Sequence, residues 1–214
     1  YPQKKLIQSK TMEYKLAHKF LYDKAVDKGF TELAKHIEKV GPLKITVSKM
    51  DFVSHLSKII IGQQLSVQSA AAIWKRTEKI LKENKYKTEN IKLNKKFKDA
   101  GLSRQKIEYL NGIIFNKDLL NISKNELKRM NPSEYFDFLI QIKGIGPWSI
   151  EMSRIFFIGD PDVFSILDLG LKNAHLKMFK IDSYNEPFYE NFRPFRSYMC
   201  LFLWRILEDD NVTI

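Results

Sequence analysis

Apolar side chains recur every three to four residues along most of the chain, which is the spacing of one face of a helix. These stripes predict helices over 12–40, interrupted at Gly29, over 51–62 and from Ser66 to about residue 80. Further helices are predicted where serine suits the N-cap or proline the first turn, or where a new stripe begins: at Ser103, Ser123, Pro132, Pro147, near Asp168 and at Pro194. No alternating apolar and polar run predicts a strand. The pattern is that of an all-α protein.

Three segments interrupt the helical pattern. Residues 43–47 follow the Gly41-Pro42 pair and are expected to form a short extended connector. Residues 82–98 are rich in lysine and predict a loop with a short surface helix, and residues 183–187 predict a break. The inner face of the helix after Ser66 is expected to carry Ala70, Ala71, Trp74 and Ile80.

Composition bounds the class of protein. The chain has 36 Lys and Arg against 25 Asp and Glu, a net charge of +11, which favours a polyanionic partner and nucleic acid first. Compositional drift produces the same balance, so charge alone does not decide. No apolar stretch approaches the ~20 residues that span a bilayer, and the start lacks the apolar core of a signal peptide. We expect no membrane partner and a location in the cytoplasm, or in the nucleus of a eukaryote.

Cysteine and histidine usage argues against several kinds of chemistry. The single cysteine, Cys200, excludes a disulfide framework and a cysteine-ligated iron–sulfur cluster, and it is predicted to be a small buried side chain. The four histidines show no metal-binding spacing, so no zinc site is expected. No phosphate-binding GxxxxGK[ST] loop is present, which disfavours ATP-driven chemistry.

Two predicted helices meet in residues 139–150, LIQIKGIGPWSI, with Gly144 and Gly146 in the turn. Glycine is needed where φ is positive or where backbone approaches a ligand closely. The amides of Gly144, Gly146 and Trp148 precede a helix N-terminus, where free N–H groups and the helix dipole favour an anion. The turn therefore predicts a phosphate site that reads no base, although an ordinary turn between two helices has the same short pattern.

Three further blocks accompany this hairpin: 61–70 (IGQQLSVQSA), 162–173 (DVFSILDLGLKN) and 193–204 (RPFRSYMCLFLW). In this order and spacing, the four blocks resemble the helix-hairpin-helix DNA glycosylases, most closely the DNA-3-methyladenine glycosylase II type. The hairpin is similar to that family's GIGxWTA, and 162–173 is similar to its catalytic loop and helix. The resemblance extends from about Asp51 to Arg205.

The resemblance implies two helical lobes with a DNA-binding cleft between them. One lobe is expected to comprise 1–50 with 161–214, and the other 51–160, with the helix-hairpin-helix at 139–157. The best-known bacterial member has an additional N-terminal β-rich domain. No strand-like segment of that size precedes Asp51, so the chain resembles a compact member of the family.

Asp168 matches the catalytic aspartate of the family. Cleavage of an N-glycosidic bond creates an oxocarbenium-like sugar, which a carboxylate stabilises, and the same carboxylate can orient water. Asp168 is also suited to cap the helix that begins there, and the two roles can coexist. The neighbouring Asp160 and Asp162 are interpreted as turn residues.

Trp148 stands where bifunctional relatives carry a lysine that forms a Schiff base, and an indole cannot be that nucleophile. The resemblance therefore implies a monofunctional enzyme without AP lyase activity. Trp148 and Trp204 match aromatic positions of the base pocket, to which Met152 is also assigned, and the two indoles would stack on a flipped, cationic base. Core packing is the alternative for Trp204, because its helix is apolar on most faces.

The residues expected to contact DNA lie in three segments. The loop 63–66 falls where the family plugs the gap left in the duplex, and either Gln64 or Leu65 is the intercalating residue. The complete set is Gln63, Gln64, Leu65, Ser66, Lys143, Gly144, Gly146 and Lys172. The resemblance further implies Na⁺ or K⁺ on hairpin carbonyls, those of Ile140, Ile142 and Ile145, and no required cofactor.

The expected function is hydrolysis of the N-glycosidic bond of alkylated purines in base excision repair. The expected substrates are 3-methyladenine, 7-methylguanine and related bases, and the expected enzyme is a monomer acting on damaged double-stranded DNA. One alternative is a non-catalytic DNA-binding protein that uses only the hairpin, which would need neither Asp168 nor an aromatic pocket. The other is a glycosylase for a different damaged base, such as a bifunctional enzyme for oxidised bases, which Trp148 disfavours.

Overall fold

The structure is a computed structural model that describes residues 2–84, 90–179 and 183–210. No strand occurs among these residues, which confirms the predicted all-α class. The chain divides into two units: residues up to Val47 together with those from Arg154 onward, and Ser48–Ser153. The unit boundaries thus follow Val47 and Ser153, where the sequence prediction had placed 50 and 160.

Helices follow one another with short connections throughout the described residues. They are α1 (Pro2–Asp27), α2 (Thr31–Val40), α3 (Phe52–Gly62), α4 (Val67–Asn84), α5 (Asn90–Asp99), α6 (Arg104–Ile114), α7 (Lys117–Asn121), α8 (Lys124–Arg129), α9 (Pro132–Ile140), α10 (Pro147–Ser153), α11 (Leu169–Phe179), α12 (Glu186–Glu190) and α13 (Arg196–Asp210). A π-helical turn, Arg154–Ile158, continues α10. Residues 43–47 form a connector without strand pairing.

Four of the predicted helix starts at serine or proline are confirmed by capping hydrogen bonds, whereas the helix predicted to begin at Pro194 begins instead at Arg196. Ser66 accepts from the amide of Ser69 at 3.2 Å, and Ser103 accepts from the amide of Lys106. Ser123 forms a capping box with Glu126, and Pro132 occupies the first turn of α9 behind an Asn131 cap. Each of these contacts satisfies a backbone N–H that the helix itself leaves without a partner.

Several details differ from the sequence prediction. Ala71 is exposed, because α4 buries Trp74, Thr77 and Leu81, and Ala71 lies about a quarter turn from that face. The helix that was predicted to begin at Pro132 ends at Ile140. The predicted break at 183–187 contains the start of α12, which Asn185 caps. The predicted loop before α5 falls partly on residues 85–89, which lie outside the described residues.

In the unit Ser48–Ser153, α3 is the central helix. It packs against α4, α6, α7 and α10, and both its ends carry apolar side chains that are almost fully buried: Phe52, Val53, Leu56, Ile60 and Ile61. A helix covered on so many sides holds its termini firmly, because movement at either end would uncover apolar surface. The loop that follows Gly62 is therefore attached to a fixed support.

In the unit formed by the two ends of the chain, α1, α2, α11 and α13 enclose a second core. Cys200 lies in this core with no solvent exposure, so its prediction as a small buried side chain is confirmed. Several aromatic rings pack edge to face or stacked around His175 of α11 and around Tyr189. None of the described helices combines the length and the apolar character that crossing a lipid bilayer requires.

Candidate functional site

The hairpin turn joins α9 to α10 through residues 141–146. The amide of Ile142 donates to the carbonyl of Leu139 at 3.0 Å, and the amide of Ile145 donates to the carbonyl of Ile142 at 2.9 Å. The amide of Ile150 then donates to the carbonyl of Gly146 as α10 begins. These bonds close the turn and place the start of α10 directly behind its two glycines.

Gly144 and Gly146 are glycines for different reasons. Gly144 has a φ of +92°, and a Cβ there would overlap the ring of Tyr109, so the fold itself requires glycine. A Cβ on Gly146 would meet nothing within 4 Å, and its φ is not in the left-handed region. Packing therefore does not explain Gly146, whereas close approach of a ligand to the backbone would.

The loop between α3 and α4 is tied to the hairpin by Gln63. Its side-chain Nε2 donates to the carbonyl of Gly144 at 3.1 Å and to Oγ of the buried Ser149 at 3.0 Å. Lys106 holds the other side of the loop, because its Nζ donates to the carbonyls of Ile61 and Gln63, each at 2.7 Å. Burial lowers the pKa of Lys106, and the two carbonyls at the negative end of α3 offset that cost.

The next residues of this loop are exposed. Gln64 has a φ of +57° and is the single non-glycine residue with a positive φ among those the structure describes. Leu65 exposes 39% of its surface, although leucine usually packs away from water. Gln64 and Leu65, the two residues predicted to intercalate, are thus the accessible ones, while the amide nitrogen of Gln63 is engaged inside the protein.

The predicted cationic contacts differ in their surroundings. The Nζ of Lys143 lies 2.6 Å from Oε1 of Glu108, and both side chains are exposed. The hydrogen bond and charge of Glu108 raise the pKa of Lys143, and the same contact lowers the pKa of Glu108. Lys172 is exposed in the first turn of α11, in the other unit. To contact a phosphate, Lys143 would have to give up its ion pair with the Glu108 carboxylate.

Trp148 and Met152 lie four residues apart on α10, and therefore on one face of that helix. Trp148 is half-buried, and Met152 is 6% exposed. The face carries no amine that could form a Schiff base, since an indole and a thioether are its chemical groups.

Within the described part of the chain, no three His, Cys, Asp or Glu side chains are grouped as metal ligands.

Asp168 immediately precedes α11 and caps it. Its Oδ1 accepts the amide of Leu171 at 2.8 Å and the indole Nε1–H of Trp204 at 3.0 Å, and the side chain is 9% exposed. The predicted capping role is therefore present, and a second donor fixes the orientation of the carboxylate. A nearly buried carboxylate held by two N–H donors is positioned to stabilise a neighbouring positive charge.

Trp204 is half-buried, and its indole is both a hydrogen-bond donor and an aromatic surface. Besides its hydrogen bond to Asp168, its ring stacks on Phe156 with centroids 5.9 Å apart. Gly170 makes this arrangement possible, because a Cβ there would lie 3.0 Å from Oδ1 of Asp168 and 3.4 Å from the Trp204 ring. The glycine of the 168–170 sequence DLG is thus explained by the carboxylate and indole that meet above it.

The loop before Asp168 is anchored by the start of α13. Oδ1 of Asp162 accepts from Nε of Arg196 at 2.7 Å, and its Oδ2 accepts from Nη1 of Arg193 at 2.7 Å. Ser197 receives the amide of Val163 at 2.9 Å and donates to the carbonyl of Val163. Asp162, interpreted from the sequence as a turn residue, is instead the centre of a partly buried ion-pair network. Asp160 does act in the turn, since it accepts the amide of Asp162.

Sequence reasoning did not find the roles of Lys106, Arg196 and the indole N–H of Trp204. Arg196 lies within the 193–204 block that was singled out, so its conspicuous position was a usable signal. No sequence pattern marks the role of Lys106, because lysine is common in the first turn of helices that lie at the surface. Its role depends on the end of α3, which lies 45 residues earlier in the chain.

No family model matches the chain. DNA-3-methyladenine glycosylase 1 of Schizosaccharomyces pombe is 27% identical over 189 residues, which cover 84% of this chain and 82% of that protein. YfjP of Bacillus subtilis is 34% identical over 94 residues, which are 41% of this chain and 32% of YfjP, so the match spans about a third of that relative. Among solved structures, that of the S. pombe 3-methyladenine DNA glycosylase in complex with abasic DNA matches with a TM-score of 0.74 and 26% identity, and the match covers 88% of this chain and 95% of that one.

Two independent kinds of likeness thus agree with the geometry. The sequence match to the S. pombe protein covers most of both chains, and the structural match covers still more of them. Within this chain, a turn with two glycines joins α9 to α10, and Asp168 is held at the start of α11. In sequence and in fold, this chain is similar to DNA-3-methyladenine glycosylases of the helix-hairpin-helix family.

Proposed function

We propose that this protein is a monofunctional DNA glycosylase that hydrolyses the N-glycosidic bond of alkylated purines. The observation that carries the proposal is the Asp168 carboxylate, which is almost buried and held by the Leu171 amide and the Trp204 indole. Of three relatives that match over about two thirds or more of their length, two are named DNA-3-methyladenine glycosylases and one an alkylbase DNA glycosidase-like protein, which supports alkylated purines as the substrate class.

In the proposed reaction, one carboxylate stabilises a cation and orients a water molecule. As the bond from C1′ to the base nitrogen breaks, the electron pair leaves with the base and the sugar becomes an oxocarbenium-like cation, which Asp168 stabilises. The carboxylate then orients a water whose oxygen bonds to C1′, and it accepts the proton that this water loses. A purine methylated at N3 or N7 already carries a positive charge and leaves as a neutral base, so no strong general acid is needed.

Trp148 supports hydrolysis without AP lyase activity. A lyase of this family needs an amine that attacks C1′, and Trp148 occupies the position that supplies it in the bifunctional relatives. Trp148 and Trp204 are the candidate stacking surfaces for a cationic base, each contact contributing roughly 1–2 kcal/mol when desolvated. Met152, on the same face of α10 as Trp148, supplies a polarisable neighbour.

DNA is the proposed partner, bound by a monomer through phosphate contacts. The amides around Gly144 and Gly146 precede α10 and Gly146 leaves open space there, which supports a phosphate at this turn. Lys143 and Lys172 add exposed positive charge, and Gln64, Leu65 and Ser66 are exposed where a plug would enter the duplex. No membrane partner is proposed.

The hairpin carbonyls of Ile140, Ile142 and Ile145 are the proposed ligands of a Na⁺ or K⁺ ion, with no other cofactor required. Carbonyl oxygens are hard ligands that suit such ions, and a carbonyl has two lone pairs, of which the Ile145 amide engages one on Ile142. The ion would add positive charge beside the phosphate. DNA affinity measured in KCl, in NaCl and in tetramethylammonium chloride at one ionic strength tests this, since an ion-dependent hairpin binds DNA more weakly in the third salt.

The decisive experiment incubates the protein with methylated DNA and identifies the released bases by mass spectrometry. We expect release of 3-methyladenine, with 7-methylguanine also tested, and no strand cleavage. Borohydride treatment during the reaction should trap no covalent complex. Equal affinity for damaged and undamaged duplex without base release would instead favour the non-catalytic DNA-binding alternative, and faster release of 8-oxoguanine than of 3-methyladenine would favour a glycosylase for another damaged base.

A further inference from the structure

Gln63 lies between the loop and the hairpin of the unit Ser48–Ser153, the two elements that are proposed to contact DNA. Its Nε2 donates to the Gly144 carbonyl of the hairpin turn and to Oγ of Ser149 in α10. Its own carbonyl accepts from Nζ of Lys106 at 2.7 Å. One residue therefore connects α6, the end of α3 and the hairpin through both its backbone and its side chain.

These contacts are poorly suited to a residue that enters DNA. Ser149 is 1% exposed, so the Gln63 amide that reaches it points into the protein rather than toward solvent. The following residues, Gln64 and Leu65, are exposed instead. The first glutamine of the loop thus contacts the protein, and the second is presented outward.

The backbone of the loop needs such support. Gln64 adopts a φ of +57°, a conformation that costs a non-glycine residue free energy and persists only where the surroundings enforce it. Lys106 fixes the chain immediately before Gln64, by binding the carbonyls of Ile61 and Gln63, and Gln63 fixes the same point to the hairpin. The left-handed turn at Gln64 is therefore built on two anchors.

We infer that Gln63 is a positioning residue that locks the intercalating loop and the phosphate-binding hairpin into one rigid element. The inference rests on the proposed function for its meaning. The hairpin grips a phosphate, and the loop must enter the duplex at a fixed distance from that grip for the damaged nucleotide to be extruded. The lock sets this distance before DNA arrives, so that ordering of the loop is not required on binding.

The test compares Gln63→Met, Ser149→Ala and the double variant. Methionine keeps the length and shape of glutamine without the N–H donors, so a residue that acted as a plug by its shape would be preserved. Loss of the lock should lower kcat on methylated duplex by about tenfold in either single variant, the effect of one to two hydrogen bonds, with a smaller change in KM because the hairpin still binds phosphate. The double variant should be no slower than Gln63→Met, since the contact that Ser149→Ala removes is one of the two that Gln63→Met already removes.

A second readout does not depend on enzymatic activity. Hydrogen–deuterium exchange of the free protein should become faster in peptides covering both 61–67 and 139–150, whichever of the two residues is changed. Full wild-type kcat in Ser149→Ala, or strictly additive effects in the double variant, would overturn the lock and return Gln63 to direct DNA contact. Faster exchange confined to the mutated segment would also overturn it. If wild-type protein releases no base, the proposed function fails, and the exchange measurement still decides the lock.

Discussion

Two loops carry the candidate functional groups of this protein, and different kinds of contact hold them. The hairpin turn is held by backbone hydrogen bonds, by packing of Tyr109 against Gly144, and by one neutral amide from Gln63. The loop that leads to Asp168 is held by charged side chains, with Asp162 paired to Arg193 and Arg196. Ser197 adds two hydrogen bonds to the backbone of Val163.

The difference follows from what each loop presents. In the proposed function, the hairpin offers backbone N–H groups to an anion, and such groups are placed correctly as soon as the turn itself forms. The other loop presents one carboxylate, whose position must be defined to a fraction of an ångström for chemistry. Side-chain ion pairs and an indole N–H supply that definition. The two loops therefore respond differently to substitution.

Asp168→Asn should have the largest effect on excision. The amide keeps the size of the carboxylate but loses the charge that stabilises the developing cation, so base release should fall by about 100- to 1000-fold while DNA binding stays intact or improves. Single-turnover base release and fluorescence anisotropy on one methylated duplex measure the two quantities. Asp23→Asn, the same charge change at an exposed site of α1, is the control and should behave as wild type. Wild-type turnover in Asp168→Asn would leave Asp168 with its capping role alone.

Arg196→Gln should show how far the Asp168 loop depends on charge. Arg196 is 13% exposed and Asp162 20%, so removing the guanidinium leaves a carboxylate partly buried without its main partner, at a cost of about 3 kcal/mol in the free energy of unfolding. Urea denaturation followed by circular dichroism measures it. Arg193→Gln is the matched comparison, because Arg193 is half-exposed and its ion pairs should contribute less than about 1 kcal/mol. Equal losses in the two variants would contradict the assignment of Arg196 as the principal anchor.

Acid should weaken the unit that carries the hairpin through His55. Burial, and then the charges of Lys124 and Lys58, lower the pKa of His55 from 6.5 to about 4, so the folded state keeps it neutral where the unfolded chain takes up a proton. Its contribution to stability is complete above pH 6.5 and is lost as the pH falls from 6.5 to 4, by about 3 kcal/mol in all. Urea denaturation at several pH values should show a smaller pH dependence in His55→Leu. An unchanged dependence in that variant would assign the acid sensitivity to other groups.

Gly144→Ala and Gly146→Ala should separate fold from ligand binding in the hairpin. Alanine at 144 must adopt a positive φ and displace Tyr109, which should cost about 2 kcal/mol of stability. Alanine at 146 meets no neighbour and should change stability by less than about 0.5 kcal/mol, yet it should weaken DNA binding because its methyl group occupies the space proposed for phosphate. Thermal unfolding and DNA titration distinguish the two. Wild-type affinity in Gly146→Ala would place the phosphate elsewhere.

Trp204→Phe should have the smallest effect of the series. Phenylalanine keeps an aromatic ring for stacking but removes the N–H that Asp168 accepts, so excision should fall by about tenfold, the contribution of one hydrogen bond to a charged group. Single-turnover rates on methylated DNA measure this. Trp204→Leu, which also removes the aromatic ring, should be slower still. If the phenylalanine variant excises at the wild-type rate, the indole serves only as a stacking surface.

Most of the helices could be predicted from the sequence, because their signals are local. Ser66, Ser103 and Ser123 cap helices as their positions predicted, and apolar periodicity identified α3 and α6. Helix α12 was not predicted, and the reason is also local. A five-residue helix contains too little periodicity to register against the Asn and Pro around it. The exposed Ala71 was missed because alanine carries too little apolar surface to mark a face.

The candidate site was predictable in its residue types but not in its contacts. The sequence by itself determined a glycine turn before a helix and a carboxylate at the start of another helix, since caps and turns depend on neighbours within about four residues. Only the tertiary structure decided that Trp204 holds Asp168 from 36 positions away, that Arg196 holds Asp162 from 34, and that Gln63 reaches Gly144 from 81. Partners so distant in the chain meet only once helix packing has set the distance between them, and no local pattern encodes that distance.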